Sequence, residues 1–563
     1  MDYRIADPVP EAIEQELQNH DPLLRQLLHN RGIKTEEEAK KFLQPDYGEH
    51  LHDPFLMRDM EKAVERILDA VKKEERITVY SDYDCDGIPG GVVLHDLFKK
   101  VGYENFSNYI PHRHFEGFGL NVAAVEKLAE EGTKLIITVD CGTADQEAIK
   151  RAGELGVDVI VTDHHEIGEE PPAYALLNPK LKDDYPFRDL CGAGVAYKLV
   201  QALIMRGEFE IHEGWEKWLL DMVGVATIAD MVPLVDENRV LARYGLTVLR
   251  KSRRPGLQHL FQKTRASQQY ATEEDVGFTI GPRVNAASRM DTPEDAFHLL
   301  STTDEVEAGE RVRHLEKLNN ERKAQVAVMS KELNKRLKNT EELPAVIVMG
   351  NPDWRPSLVG LAANKVAEAH KRPAFVWGRD GNGIIKGSCR SDGSVSVVKL
   401  METLHDDLLE YGGHHFSGGF SVPDDKIHTL GEALNAAHAS LGAAAAIDEV
   451  LTADAELTLE QVGDSLIKTL EAASPFGTGN EAPLFLFKTV VPSEVTTFGK
   501  GNEHTKLLFD TKGGKLEAIH FFKQPSDFTK VPESLMELNL LAHVERSFFM
   551  GRFQTRLRII DIV

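Results

Sequence analysis

The sequence predicts an α/β fold: a parallel-sheet domain joined by a long helix to a smaller α/β domain, with a β-barrel at the C-terminal end. Three observations carry this. First, three β-branched runs of strand length each stop at a carboxylate: ITV leads into SDYDCDG (Ile77–Gly87), then come LIITVDCG (Leu135–Gly142) and VIVTDHH (Val159–His165), with helical stretches between them. Second, another strand and helix alternation begins at LPAVIVMG (Leu343–Gly350). Third, beyond Ile447 the alternating stretches LFLFKTVV, TKLLFD, LEAIHFF and TRLRIIDIV read as a small barrel.

The elements follow in order. Residues 1–75 form a polar, helical lead-in anchored by Leu24, Leu27, Leu28 and Ile33, with a stop at Gly32 and a capping box of Thr35 with Glu38, and are expected to pack on the main domain. From Arg76 to Val161 the pattern is strand, helix, strand, helix, strand; GGVVLHDLFKKVG, NVAAVEKLAEEG and ADQEAIKRAGELG are the helices. A mostly helical stretch runs through WEKWLLDMVGVATIADMVPL and a basic segment. Asp304–Leu337 reads as one long charged helix, too polar for a core and therefore a connector. PAFVWG and GIIKGSCR are strands of the second domain, which holds the glycine-rich GGHHFSGGF and ends in the Ala-rich helix LNAAHASLGAAAAIDE. The boundaries so drawn are 1–303, 304–340, 341–447 and 448–563.

A chain of 563 residues with 42% hydrophobic content is a soluble globular protein of two to four domains. The opening MDYRIADPVPEAIEQELQ has neither the basic nor the apolar region of a signal peptide, and no apolar run is long enough to span a bilayer. Cys85, Cys141, Cys191 and Cys389 form no CxxC pair, which excludes a disulfide framework or structural zinc and points to a reducing cytoplasm. The net charge of -25 argues against a polyanionic partner, but Asn238–Thr272 contains no acid and carries Arg239, Arg243, Arg250, Lys251, Arg253, Arg254, Lys263 and Arg265. That stretch is expected to face an anion.

Ligands of parallel sheets bind beyond the carboxyl ends of the strands, so Asp82, Asp84, Asp86, Asp140, Asp163, His164 and His165 are expected to converge. Carboxylates crowded together repel unless cations hold them. Oxygen and imidazole donors without cysteine favour magnesium or manganese over zinc, and two such ions suit in-line phosphoryl chemistry. Asp230, in the apolar GVATIADMVPL, is a fourth candidate carboxylate because leaving it unpaired there would be costly; Asp221 ranks below it.

These residues resemble the DHH phosphoesterase superfamily, and within it the RecJ single-strand exonucleases, over nearly the whole chain. SDYDCDG, VDCG, TDHH and GVATIADMVPL are similar to the family's four motifs; IPHRHFEGFGL (Ile110–Leu120) and GPRVNAASRM (Gly281–Met290) resemble segments that mark RecJ. WRPSLVGLAANKVAE, KGSCRS and GGHHFSGGF resemble the DHHA1 module, and PFGTGNEAP (Pro475–Pro483) resembles the start of the family's OB-fold. The resemblance implies a DHH catalytic domain, a DHHA1 domain and an OB-fold. It implies metal ligation by Asp84, Asp86, Asp140, His164 and Asp230, with Asp82, Asp163 and His165 as further ligands or supports. It places Arg113, Arg283, Asn285, Arg289, Ser388, Arg390, Gly413 and His414 on the substrate, with backbone N–H groups around Gly412 and Gly413 near phosphate. Ser288, Arg355, Ser417 and Gly418 depart from the family's usual residues, which bears on affinity rather than on chemistry.

The function so implied is processive 5′-to-3′ hydrolysis of single-stranded DNA to mononucleotides in repair and recombination. It would use two manganese or magnesium ions and be carried out by a monomer working with a single-strand-binding protein and a helicase. Phe485, Phe487, Phe498, Phe521 and Phe522 are candidate base stackers in the barrel. The competing readings are an oligonucleotide or cyclic-dinucleotide phosphodiesterase of the same superfamily and a non-catalytic scaffold similar to the Cdc45 branch.

Overall fold

The computed structural model describes residues 3–181, 185–340, 342–442, 450–549 and 552–563. At its centre is a five-stranded, all-parallel sheet in the order Phe106–Tyr109, Arg76–Ser81, Thr133–Val139, Asp158–Thr162, Ala175–Leu177. Its strands alternate between two cores, as a pleat covered on both faces requires. Ile77, Val79, Leu135, Ile137 and Ile160 enter one apolar cluster, while Tyr80, Ile136, Val159 and Val161 enter the other. The carboxylate-terminated strands are therefore neighbours, and their ends share one rim.

Helix Glu305–Lys338 runs for 34 residues, which at 1.5 Å each is about 50 Å. Asp304 caps it, accepting from the N–H groups of Val306 and Glu307. Its polarity does not keep it out of the cores. Val312, Leu315 and Leu318 join the core of the parallel-sheet domain, and Val326, Met329, Leu333 and Leu337 join that of the next domain, so one narrow stripe serves each end.

The second α/β unit has a mixed five-stranded sheet in the order Glu410–His414, Ser417–Val422, Ile385–Arg390, Ala374–Arg379, Ile347–Gly350. The glycine-rich GGHHFSGGF is a β-hairpin at the edge of this sheet. Helix Leu430–Leu441 ends at Gly442; the rest of the Ala-rich stretch and the 447/448 boundary lie outside the described residues. The C-terminal seven-stranded sheet has the long hairpin Leu538–Phe549 and Arg552–Ile562 at its centre.

The N-terminal lead-in does not pack on the main domain alone; it bridges that domain and the C-terminal one. Leu27 lies in the barrel core, Leu24, Leu28, Ala39 and Leu43 cluster against Ala472, and Tyr3–Ile5 pairs in parallel with Leu451–Ala453. Arg31 donates to Asn480 Oδ1 at 2.5 Å and to the Glu481 carbonyl at 2.6 Å. On the other side Lys41 pairs with Asp236 at 3.3 Å. The Thr35 and Glu38 capping box forms as the sequence predicts.

The acid-free stretch is a correction. Arg254 lies among Asp96 and Asp221 at 2.7 and 2.9 Å, and Arg239, Arg243 and Arg250 donate to backbone carbonyls of Phe42, Ala472, Ala473, Ser474 and Ala271. These arginines staple the fold; only Lys251, Arg253, Lys263 and Arg265 remain as exposed cations without such a staple role. Acids and backbone carbonyls from other segments supply their partners, which a local sequence window cannot reveal.

Candidate metal centre

The first acidic loop runs from Asp82 to Asp86, between strand Arg76–Ser81 and helix Gly87–Lys100. Asp84 Oδ1 accepts from the N–H groups of Asp86 and Gly87 at 2.7 and 3.1 Å, which turns the chain into the helix. Asp86 accepts from Gly192 at 2.6 Å and Ala193 at 2.8 Å. These are unpaired donors at the N-terminus of helix Gly192–Arg206, where helix polarity favours an anion. Residue 192 must be glycine: a Cβ there would fall 2.5 Å from Asp140 Cβ.

Asp140 follows strand Thr133–Val139 in the left-handed region, at φ 61°. Asp163 follows strand Asp158–Thr162. Of the two roles open to Asp163, the geometry places it as a positioning group. Its Oδ1 accepts from the backbone of His164 and His165 and from His165 Nδ1 at 2.7 Å, and its Oδ2 accepts from Thr143. Asp230 caps the C-terminal end of the apolar helix Leu220–Ala229 and is part-exposed, whereas Asp221 is spent on Arg254 and Ser252.

His164 Nε2 lies 3.2 Å from Asp140 Oδ1, 3.6 Å from Asp230 Oδ2 and 3.7 Å from Asp86 Oδ2. These are not salt bridges: burial, then the charge of His165, lowers His164 to about 4, so the ring is neutral at physiological pH. A neutral imidazole amid carboxylates calls for a cation. Donor atoms of Asp82, Asp84 and Asp140 lie within 4.8 Å of one another, as do those of Asp86, His164 and Asp230, and those of Asp140, His164 and His165. Asp140 belongs to the first and last of these groups, where a bridging ligand would stand.

The electrostatics agree. Oδ1 of Asp82 and Oδ1 of Asp140 are buried without a hydrogen-bond partner. Burial and neighbouring carboxylates hold Asp82 and Asp140 well above the usual range, Asp86 at about 6 and Asp230 at about 9. Burial also raises Asp163, but the hydrogen bond and charge of His165 outweigh it and leave Asp163 below its usual value. The same pair raises His165 to about 9 against the effect of burial. Hard divalent ions fit this donor set, since they would satisfy the orphaned oxygens and cancel the like-charge repulsion.

A basic wall flanks the centre. Arg289 is half-buried and donates to the Ser357 carbonyl at 2.7 Å; desolvation, then Arg113 and Arg322, lowers it to about 9. Arg113 lies 4.8 Å over the Tyr83 ring. Ser388 and Arg390 lie side by side against Gly360, and His414, in the edge hairpin, meets Ser417 at 3.0 Å. Gly413 sits in the same strand. Two residues expected on phosphate are otherwise engaged: Arg283 pairs with Glu316 at 2.6 Å, and Asn285 accepts from the N–H of Cys85, bracing the first acidic loop. Both lie in helix Gly281–Met290, which continues a π-helical turn at Val276–Ile280. Among the proposed stackers, Phe485 and Phe487 are core residues, while Phe522 is exposed and Phe498 and Phe521 are half-buried beside His504.

A parallel sheet whose strand ends gather aspartates and histidines around cation-sized gaps defines a DHH-type phosphoesterase. The comparisons narrow this. Residues 76–227 match the DHH family N-terminal domain, 342–441 the DHHA1 domain and 453–561 the RecJ OB domain. The chain is 36% identical to the single-stranded-DNA-specific exonuclease RecJ of Bacillus subtilis (strain 168), over 96% of this chain and 68% of that protein. It is 30% identical to the Haemophilus influenzae enzyme of the same name, over 90% of each. The crystal structure of Thermus thermophilus RecJ with Mn2+ superposes with a TM-score of 0.83 at 27% identity, covering 100% of this chain and 79% of that one; the same protein has been solved with Mg2+. The chain belongs to the RecJ family.

Proposed function

We propose that this chain hydrolyses single-stranded DNA from the 5′ end to mononucleotides, with manganese or magnesium, in repair and recombination. One observation carries the reading. Carboxylates from three separate segments and a neutral His164 from a fourth converge around buried, unpartnered oxygens, in a chain whose family relatives are named single-stranded-DNA-specific exonucleases. Asp84, Asp86, Asp140, His164 and Asp230 would hold the metal, with Asp82 closing one group and Asp163 fixing His165. When bound, two such ions lower the pKa of a water and neutralise charge on the attacking and leaving oxygens.

The chain's own residues do the rest. His165, fixed by Asp163 through Nδ1, would present Nε2 to phosphate. Arg113, Arg289, Ser388, Arg390 and His414 supply donors for the strand's backbone, and the C-terminal domain holds the trailing strand. A monomeric state and partners such as a single-strand-binding protein and a helicase belong to the same proposal. No described helix is long and apolar enough to cross a membrane.

The test is product analysis on long single strands labelled at either end, with manganese and magnesium compared. A 5′ label should leave at once as a mononucleotide while a 3′ label persists in shortening chains. Hydrolysis confined to short oligonucleotides or cyclic dinucleotides would overturn the reading.

A further inference from the structure

Two helices from different domains meet at their ends beside the metal centre. Helix Gly281–Met290 of the catalytic domain stops there, and helix Pro356–His370 of the second α/β domain starts there. The last carbonyls of a helix have no partner within it. Here the other domain supplies the donors. The Ser357 hydroxyl donates to the Arg289 carbonyl at 2.7 Å, and the Arg355 guanidinium donates to the Met290 carbonyl at 3.2 Å. A cation at that end also suits the polarity of the helix. The Arg289 guanidinium in turn donates to the Ser357 carbonyl at 2.7 Å. Ser357, which is buried, and Arg289 thus hold each other by two bonds across the domain boundary, and Met290 packs against the apolar clusters of both domains.

The same helix carries a second support. Gly360 follows Ser357 by one helical turn and lies on the same face. Ser388 and Arg390 rest against it: a Cβ there would fall 3.2 Å from the Arg390 guanidinium and 3.3 Å from the Ser388 hydroxyl. One short span of helix therefore touches three of the groups assigned to the strand's backbone, one from the catalytic domain and two from the second. The charge of Arg289 is left available. Arg283, in the same helix, pairs with Glu316, whereas among the described residues no acid forms an ion pair with Arg289. Arg355 is one of the positions at which this chain departs from the family's usual residues, so the clasp is in part its own.

We propose that Ser357 and Arg355 are positioning residues: they fix Arg289 against helix Pro356–His370, in register with Ser388 and Arg390, so that donors from two domains meet one strand at a set spacing. The inference rests on the exonuclease reading, which places those three groups on the strand, and deepens it by naming what holds them together. An arginine left unheld loses rotamer freedom when it meets a phosphate; one fixed beforehand does not, and binds the strand more tightly for it.

The test is a double-mutant cycle on strand affinity. Binding of a long single strand is measured by fluorescence anisotropy without divalent metal, and cleavage in a single turnover at saturating enzyme with manganese. Ser357→Ala should weaken binding by about three- to tenfold, the scale of one hydrogen bond, and Arg355→Ala by a similar factor. Cleavage at saturation should stay within about twofold of wild type, because the lost interaction is one of binding and the metal ligands are untouched. In an Arg289→Met background neither alanine substitution should cost anything more, since both act through Arg289. Equal losses with and without Arg289 overturn the inference, as does unchanged affinity in both alanine variants. A fall in the saturated cleavage rate with affinity unchanged also overturns it, by assigning the pair to the catalytic fold. Arg355 is exposed, so Arg355→Ala carries the cycle alone if Ser357→Ala does not fold. Failure of wild type to bind or cut a long strand would instead bring down the exonuclease reading, and the inference with it.

Discussion

Asp140 shows how much of a site one residue can carry. It sits at φ 61°, where most side chains are strained but asparagine is tolerated, and its Oδ1 is buried without a partner. Asp140→Asn therefore keeps the backbone and removes a charge. We expect hydrolysis to fall by roughly a thousandfold or more, at about 1.4 kcal/mol per factor of ten, while strand binding persists. The metal-free variant should melt above metal-free wild type, because a repelling charge is gone. The pH dependence has a fixed sign. Asp86 and Asp230, raised to about 6 and about 9, stay protonated in the fold where the unfolded chain has already ionised; His165, also raised to about 9, keeps a proton the unfolded chain has lost. Between the unfolded histidine value of about 6.5 and about 9, the folded state thus binds more protons. Stability of the metal-stripped protein should fall as pH rises through that window. Calorimetric melting with and without manganese checks this: the metal's stabilising effect should be larger at the alkaline end, where ligands no longer surrender protons to bind it.

At the scale of elements, the site depends on where helices begin. Helix Gly192–Arg206 points its first two N–H groups at Asp86, and Gly192 leaves room for Asp140. Gly192→Ala would push a methyl group onto Asp140, and we expect manganese affinity to drop by about 10–100-fold, the usual effect of disturbing groups that orient ligands. Titration calorimetry reads this directly. Helix Pro255–Thr264 starts at Arg254, whose guanidinium is enclosed by Asp96 and Asp221. Arg254→Met would strand two carboxylates, so a loss of about 3–5 kcal/mol in stability is expected, with no change in the salt dependence of DNA binding. The sequence made the carboxylate-ended strands legible because each signal is local: a β-branched run and then an acid. It misled over the basic stretch because Asp96 lies 158 positions from Arg254, and no local pattern records a partner so distant. It was silent on strand Phe106–Tyr109, whose FSNY has no alternating apolar pattern, and on the edge hairpin that the glycine-rich GGHHFSGGF makes.

Across the whole molecule, the N-terminal lead-in and the C-terminal domain meet, and one buried arginine is among the groups that tie both to the catalytic domain. Arg239, in helix Asp236–Leu249, donates through Nε to the Phe42 carbonyl at 2.5 Å and through Nη2 to the carbonyls of Ala473 and Ser474 at 3.0 and 3.2 Å. Its guanidinium lies 3.5 Å from the centre of the Phe42 ring. No described acid pairs with it; burial, then neighbouring arginines, lowers it to about 9. Three segments far apart in sequence thus share one cation: the lead-in, the catalytic domain and the start of the barrel domain. An arginine suits such a junction because its planar fork can serve several carbonyls at once, whereas a lysine would leave some unpaired. Arg239→Met removes the fork and keeps the apolar stem, at an expected cost of about 2–4 kcal/mol to the junction. The metal centre, built from other elements, should remain intact. The expected consequence is a separation of two activities that a defect in the metal centre would lower together. Turnover of short oligonucleotides should stay close to wild type, while long strands should be released early, because the barrel domain no longer holds the trailing strand at a fixed distance from the metals. Product-length distributions after a single binding event, with excess unlabelled strand as a trap, measure this. Equal losses on short and long substrates would show that Arg239 supports the catalytic fold instead of the placement of the barrel domain.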